Sequence, residues 1–243
     1  MAKIVWDDTG ERFYETGTKR GVLYKKRLVA EGDHAAGSYG VGVPWNGLTG
    51  VTLSPSGAEE TALYANDGKY LSLYSAEELG ATITAYTYPD EWSECDGSME
   101  VADGVMIGQQ PRTGFGMTFR TVIGNDSVGE NYGYKINLLY NGMASPSERA
   151  YSTINDSPEA VEFSWEVKTV PAQIDEFHKP TALIVIDSTK ADPTALAQLE
   201  AALYGTESAD PYLPTPTEVI SMFTSASGAI GSTGATGATG SGN

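Results

Sequence analysis

The chain has 243 residues, 40% of them apolar, enough for one sizeable domain or two small ones with a real core. Its 32 acids against 15 bases give a formal charge of -17, which argues against any surface built to grip a phosphate backbone. A single cysteine, Cys95, excludes an internal disulfide framework and any multi-thiolate metal site.

The start, M-A-K-I-V-W-D-D, lacks the apolar centre of a signal peptide, and no run approaches the roughly 20 apolar residues of a membrane span. The expectation is a protein without a membrane span, made and kept in the cytoplasm until assembled or released. Residues 1–30 hold seven bases (Lys3, Arg12, Lys19, Arg20, Lys25, Lys26, Arg27) against four acids, so a basic segment opens an acidic body. That asymmetry points to self-complementarity between copies. Gly10, Gly17 and Gly21 punctuate this segment into short strands and turns, with a basic strand over 21–29. Glycines then recur between 31 and 57, which reads as a long mobile arm or loop with a binding role.

From residue 58 to 224 the pattern is that of the β core. N-D-G at 66–68 predicts the turn of a hairpin within 63–74. Ser75 and Glu78 have capping-box spacing, although Gly80 would stop such a helix after about one turn. T-I-T-A-Y-T-Y (82–88) predicts a strand ending at Pro89. Phe115 to Ile123 and Tyr134 to Tyr140 alternate as the two arms of a hairpin around a polar tip at 124–133. The cleanest alternation lies in 157–171. Val161, Phe163, Trp165 and Val167 occupy a face to be buried, while Glu162, Ser164, Glu166 and Lys168 occupy the other. T-A-L-I-V-I (181–186) predicts an interior strand or one covered by a helix. A helix follows near 193–204, opened by Asp192 and Pro193 and stopped by Gly205, and Thr215, Pro216 and Glu218 open a short one near 216–223. Residues 225–243, built of Gly, Ala, Thr and Ser, read as a flexible tail. The fold class expected is α+β, mainly β: an antiparallel β-sandwich or barrel with one flanking helix and long loop and terminal arms.

Chemistry has little visible foothold. His34 and His178 have no metal-ligand spacing, and neither a G-x-S-x-G elbow nor a phosphate loop occurs. Cys95 stands between Glu94 and Asp96, acids that should raise its pKa. The acidic window of Asp90, Glu91, Glu94, Asp96, Glu100 and Asp103 contains no base, but aligning Gly97 to the obligatory glycine of an EF-hand puts Trp92 at the first ligand position, so that motif fails. Tyr86, Phe163 and Trp165 are expected in the core or at subunit interfaces. An alternative uses Tyr86, Tyr88 and Trp92 as a sugar-stacking platform with calcium on Asp90 and Glu94, making the chain a carbohydrate-binding β-sandwich. A third reading, a carboxylate hydrolase, requires one strongly raised pKa in the acidic window.

Several stretches taken together resemble the major tail protein, or tail tube protein, of long non-contractile-tailed bacteriophages. They are W-D-D-T-G-E-R-F-Y-E-T-G (6–17), G-V-L-Y (21–24), W-N-G-L-T-G-V-T-L-S-P-S-G-A-E (45–59), A-Y-T-Y-P-D-E-W-S-E-C-D-G (85–97) and A-Y-S-T-I-N-D-S-P-E-A-V-E-F-S-W-E-V (150–167). The likeness runs co-linearly from about residue 3 to 223 and includes no catalytic motif. It implies a non-enzymatic virion protein without a cofactor, whose hexameric rings stack into a tube. A helix-flanked β-sandwich would give strands to an inner barrel, and loops and arms would clasp neighbouring rings. The implied partners are other copies, the tape measure, terminator and distal tail proteins at the tube ends, and DNA in transient passage. Assembly in the host cytoplasm and residence in the virion tail follow from the same resemblance. On that reading Lys19, Arg20, Lys25, Lys26 and Arg27 are candidates for contact with the next ring. Asp90, Glu91, Glu94, Glu162 and Glu166 are candidates for the lumen or the seam between subunits.

Overall fold

The computed structural model describes residues 4–30, 35, 37–151, 153, 160–174 and 178–229. In chain order its elements begin with strands β1 (Phe13–Lys25), β2 (Val43–Pro44), β3 (Leu48–Gly57), β4 (Glu60–Ala65), β5 (Gly68–Tyr74) and β6 (Glu77–Ala85). Helix α1 (Trp92–Asp96) and strands β7 (Met99–Ala102), β8 (Val105–Ile107), β9 (Phe115–Asn125), β10 (Gly129–Ala144), β11 (Phe163–Thr169) and β12 (Leu183–Asp187) follow, then helices α2 (Pro193–Tyr204) and α3 (Pro216–Ala229). The protein is mainly β, with one large antiparallel sheet in the order β2-β1-β9-β10-β11-β6-β3, and β12 added to β10.

The β9–β10 hairpin is the spine of this sheet, since its period-two apolar residues feed two cores at once. Phe115, Met117 and Leu139 enter an inner core with Leu23, Ile83, Trp165 and Val167. Ile136, Leu138 and Tyr140 enter an outer core with Leu196, Leu199, Leu203 and Val219 of the helices. β10 divides its far edge between two partners, giving Lys135 to Leu139 to β12 and Gly142 to Ala144 to β11. Asn141, with φ +52, stands at the division, and its Nδ2 donates to the Val170 carbonyl at 3.0 Å. The sheet turns at this point, which brings β11, β6 and β3 over the inner core.

The barrel part of the expectation is corrected here. β3 returns close to β1, where a Cβ on Gly21 would stand 2.8 Å from Leu48 Cδ2, yet among the described residues no ladder joins the two strands. The hydrogen-bonded contact is limited to Trp45, whose amide donates to the Gly21 carbonyl at 2.8 Å and whose Nε1 donates to the Thr87 carbonyl at 3.0 Å. The sheet therefore curls without closing. The single flanking helix is also corrected, because α2 and α3 both pack on the outer face and α1 adds a third short helix.

Other expectations shift with the tertiary context. Residues 13–25 are one thirteen-residue strand, in which Gly17 and Arg20 take positive φ at register irregularities that the sequence presented as turns. The Gly-rich stretch 31–57 is not one mobile arm, because Val43–Pro44 and Leu48–Gly57 are strands of the sheet. Gly47 shows why glycine serves here: its φ is +73, and a Cβ would come within 2.6 Å of Thr87 Cγ2. Ser75 and Glu78 open no helix, since 77–85 is β6, held between β3 and β11. The 82–88 strand stops at Ala85, and the polar tip of the long hairpin shrinks to 126–128. The 181–186 strand is helix-covered on one face, where Ile186 is buried, and open on the other, where Val185 is exposed. His34 and residues 157–159 and 230–243 lie outside the described residues, so α3, continuing to Ala229, is the last described element.

The two helix starts match their sequence signals in detail. Asp192 is extended, and its Oδ1 accepts from the amides of Thr194 and Ala195, both at 2.9 Å, with proline at the first turn. Thr215 and Glu218 form a reciprocal box, with the Thr215 amide donating to Glu218 Oε2 at 2.7 Å and the Glu218 amide to Thr215 Oγ1 at 3.3 Å. Asp192→Ala is expected to cost about 1 kcal/mol, read as a lower urea midpoint with an unchanged slope.

Candidate assembly surface

β3 and β6 outrun the rest of the sheet. β11 pairs with β6 only as far as Gly80, whereas Pro55, Ser56 and Gly57 continue to pair with Leu79, Glu78 and Glu77. Beyond that ribbon stands the β4–β5 hairpin, a separate two-stranded sheet turned by Asn66, Asp67 and Gly68. Leu63 lies opposite Leu71, and Leu73 shares their face by the two-residue period; all three are exposed. Tyr64, 73% exposed, and Tyr70, 71% exposed, stand near the tip. An isolated two-stranded hairpin is marginal in water at best, and an uncovered apolar one is a candidate contact surface.

A second hairpin, β7–β8, repeats the arrangement. Met99 pairs with Ile107 and Glu100 with Met106, and Met99, Val101, Val105, Met106 and Ile107 are all exposed. Its turn is held by the Gly104 amide donating to Glu100 Oε1 at 2.8 Å. In the sequence this stretch overlaps the acidic window that ends at Asp103. The available signal was D-G at 103–104 flanked by apolar residues, a hairpin turn signature hidden among the acids. Among the described residues of the large sheet, β2, β3 and β12 each pair on one side only, and so do the strands of the two hairpins.

The five candidate cations do not form one outward patch. Lys25 Nζ lies 2.7 Å from Glu94 Oε1, Lys26 stands over the Tyr39 ring, and Arg27 donates to the Tyr39 carbonyl at 3.1 Å. Partial burial holds Lys26 below the usual lysine range. Lys19 and Arg20 remain outward. Lys19 is 3.6 Å from the exposed Glu130, and Arg20 lies over the Tyr204 ring at 5.6 Å. They flank a cleft of about 530 Å³ whose wall includes Arg120, Tyr132, Tyr134 and Leu196. Arg120 is committed inside this wall: its guanidinium stacks on Tyr134 and lies 3.7 Å from Glu200, which also accepts from Tyr134 Oη at 2.6 Å. Burial and the nearby Glu200 carboxylate push the Tyr134 phenol up to about 12.

The candidate acids separate likewise. Asp90 is exposed, Glu91 half-buried, and Glu94 tied to Lys25 at the foot of the β7–β8 hairpin, while Asp96 is paired with Arg149. Glu166 lies on the exposed face of β11, and Glu162, exposed just before that strand, accepts from Thr49 Oγ1. No group of His, Cys, Asp and Glu among the described residues is arranged to hold a metal ion. Cys95 is buried, and burial, reinforced by Glu94 and Asp96, pushes its thiol up to about 12.

The aromatic candidates need one correction. Trp165 is buried at 1% exposure and Phe163 is half-buried against it, but Tyr86 is 55% exposed, because Ala81, Ile83 and Ala85 hold the inward parity of β6 and Tyr86 follows on the outward one. Tyr86, Tyr88 and Trp92 do not share a platform. Trp92 is fully buried, 4.7 Å from Trp45 and 5.3 Å from Trp165 between ring centroids, and Tyr88 packs edge-on against Phe163 and Trp165.

No family model matches the chain, and no curated protein matches it. No helix among the described residues is long and apolar enough to cross a membrane.

Proposed function

We propose that this chain is a structural subunit that self-assembles into stacked rings, forming a phage-tail-type tube through which viral DNA passes. The observation that carries the reading is the pair of hairpins, β4–β5 and β7–β8, standing off the sheet with apolar side chains uncovered. Surfaces of that kind are filled by other chains, and the open edges of β2, β3 and β12 offer backbone pairing in addition. A charge of -17 per copy would make the assembled channel repel phosphates, so that DNA slides rather than sticks. The ring size of six and the end-binding tape measure, terminator and distal tail partners rest on the resemblance alone. Concentrated protein viewed by negative-stain electron microscopy is expected to show rings and tubes. Sedimentation of a single monomeric species at every concentration and salt tried would overturn the reading.

A further inference from the structure

We infer that the β7–β8 hairpin of one copy docks into the cleft beside Lys19 and Arg20 of a second copy, a pairing that rests on the self-assembly reading above.

Charge and apolar content are complementary across the two surfaces. The hairpin, residues 99–107, carries Glu100 and Asp103 and no base. The cleft presents Lys19 and Arg20 against one outward carboxylate, Glu130, because Arg120 is already paired with Glu200. On a chain of net charge -17, a place where cations outnumber acids selects strongly for an acidic partner. Tyr132, exposed in the cleft, offers apolar surface to Met99, Val105 and Ile107, and methionine sulfur packs well on aromatic edges.

Geometry makes the contact one between copies. Glu100 and Met106 share a surface depression with Lys25, so the hairpin stands at the Lys25 end of β1. Lys19 lies six residues earlier in the same strand, about 20 Å away at roughly 3.3 Å per residue. A hairpin of nine residues fixed at one end cannot fold back into its own cleft. Each copy therefore offers one hairpin and one cleft on separate parts of its surface. Such a heterologous contact propagates until it closes as a ring or continues as a filament.

Charge exchange tests the pairing in the full chain. Lys19→Glu with Arg20→Glu, and separately Glu100→Lys with Asp103→Lys, are each expected to raise the concentration needed for assembly about tenfold or more at moderate salt. Combining all four substitutions is expected to restore assembly toward the wild-type concentration. Mixing a Lys19→Cys protein with an Asp103→Cys protein should give an oxidative cross-link between the two, even if a charge variant folds poorly. Either reversal assembling like wild type overturns the pairing, and so does a folded four-fold variant that stays dispersed or a mixture that forms no heterotypic cross-link. These results leave the tube reading standing if the wild type assembles. A wild type that never assembles removes both.

Discussion

Replacing Trp165 by alanine is expected to destabilise the fold by about 3–5 kcal/mol, a large part of the 5–15 kcal/mol that separates a typical native domain from its unfolded chain. Trp165 is 1% exposed at the middle of β11, and its ring lies within 6 Å, centroid to centroid, of Trp45, Trp92, Tyr88 and Phe163. Those neighbours come from the β2–β3 connection, α1, the segment after β6, and β11 itself. A cavity here loosens the point where the two halves of the curled sheet meet, and rings held from four directions cannot collapse to fill it. Equilibrium urea unfolding followed by tryptophan fluorescence and far-ultraviolet circular dichroism checks the magnitude. Glu166→Ala, one residue along and exposed on the opposite face, is expected to change stability by no more than about 0.5 kcal/mol. Equal effects from the two substitutions would mean that β11 does not bury the face its alternation marks out.

That contrast shows what was legible before any coordinates. Where a strand lies between one core and one open face, its period is written in the residues, and β11 was readable for that reason, whereas β9 and β10, with both faces largely buried, were readable from large apolar residues at every second position. Helix starts were equally readable, because Asp192 and the Thr215–Glu218 box act on amides two or three residues away. Long-range competition hid the rest. Ser75 and Glu78 carry a local helical signal, and the pairing of β6 with both β3 and β11 outweighs it. Glycines 42, 47 and 50 resemble loop composition until their close neighbours across the fold are known. The state of Tyr86 depended on which parity of β6 faces the core, and Ala81, Ile83 and Ala85 take that side.

The proposed assembly surface was legible only in outline. Composition showed a basic segment on an acidic chain, but which cations stay outward depends on tertiary partners. Glu94 takes Lys25, and Tyr39 takes Lys26 and Arg27, from segments far along the chain or across a loop. The hairpin expected within 63–74 is present, and nothing in its period says whether a cover for its apolar face belongs to the same chain. Leu63, Leu71 and Leu73 have the pattern of core residues and no core of their own.

That mismatch supplies the second large effect. Changing Leu63, Leu71 and Leu73 together to threonine is expected to leave the unfolding midpoint of the subunit nearly unchanged while weakening assembly roughly a hundredfold. Threonine, unlike leucine, is β-branched and favours a strand, so the hairpin is retained and only its apolar face is lost. The three leucines are 42%, 38% and 54% exposed, so covering what remains open contributes about 1 kcal/mol each, about 3 kcal/mol in all. Since each 1.4 kcal/mol is a factor of ten, this sum gives the hundredfold figure. Sedimentation across a concentration series measures the association, and a thermal melt of the dilute protein measures the subunit. A variant that melts like wild type but assembles at wild-type concentration would show that the hairpin face stays in water, removing the observation on which the tube reading rests. A large fall in the melting midpoint would instead place the leucines against the rest of their own chain, which their exposure argues against. The outcome separates residues that fold the subunit from residues that join it to the next one.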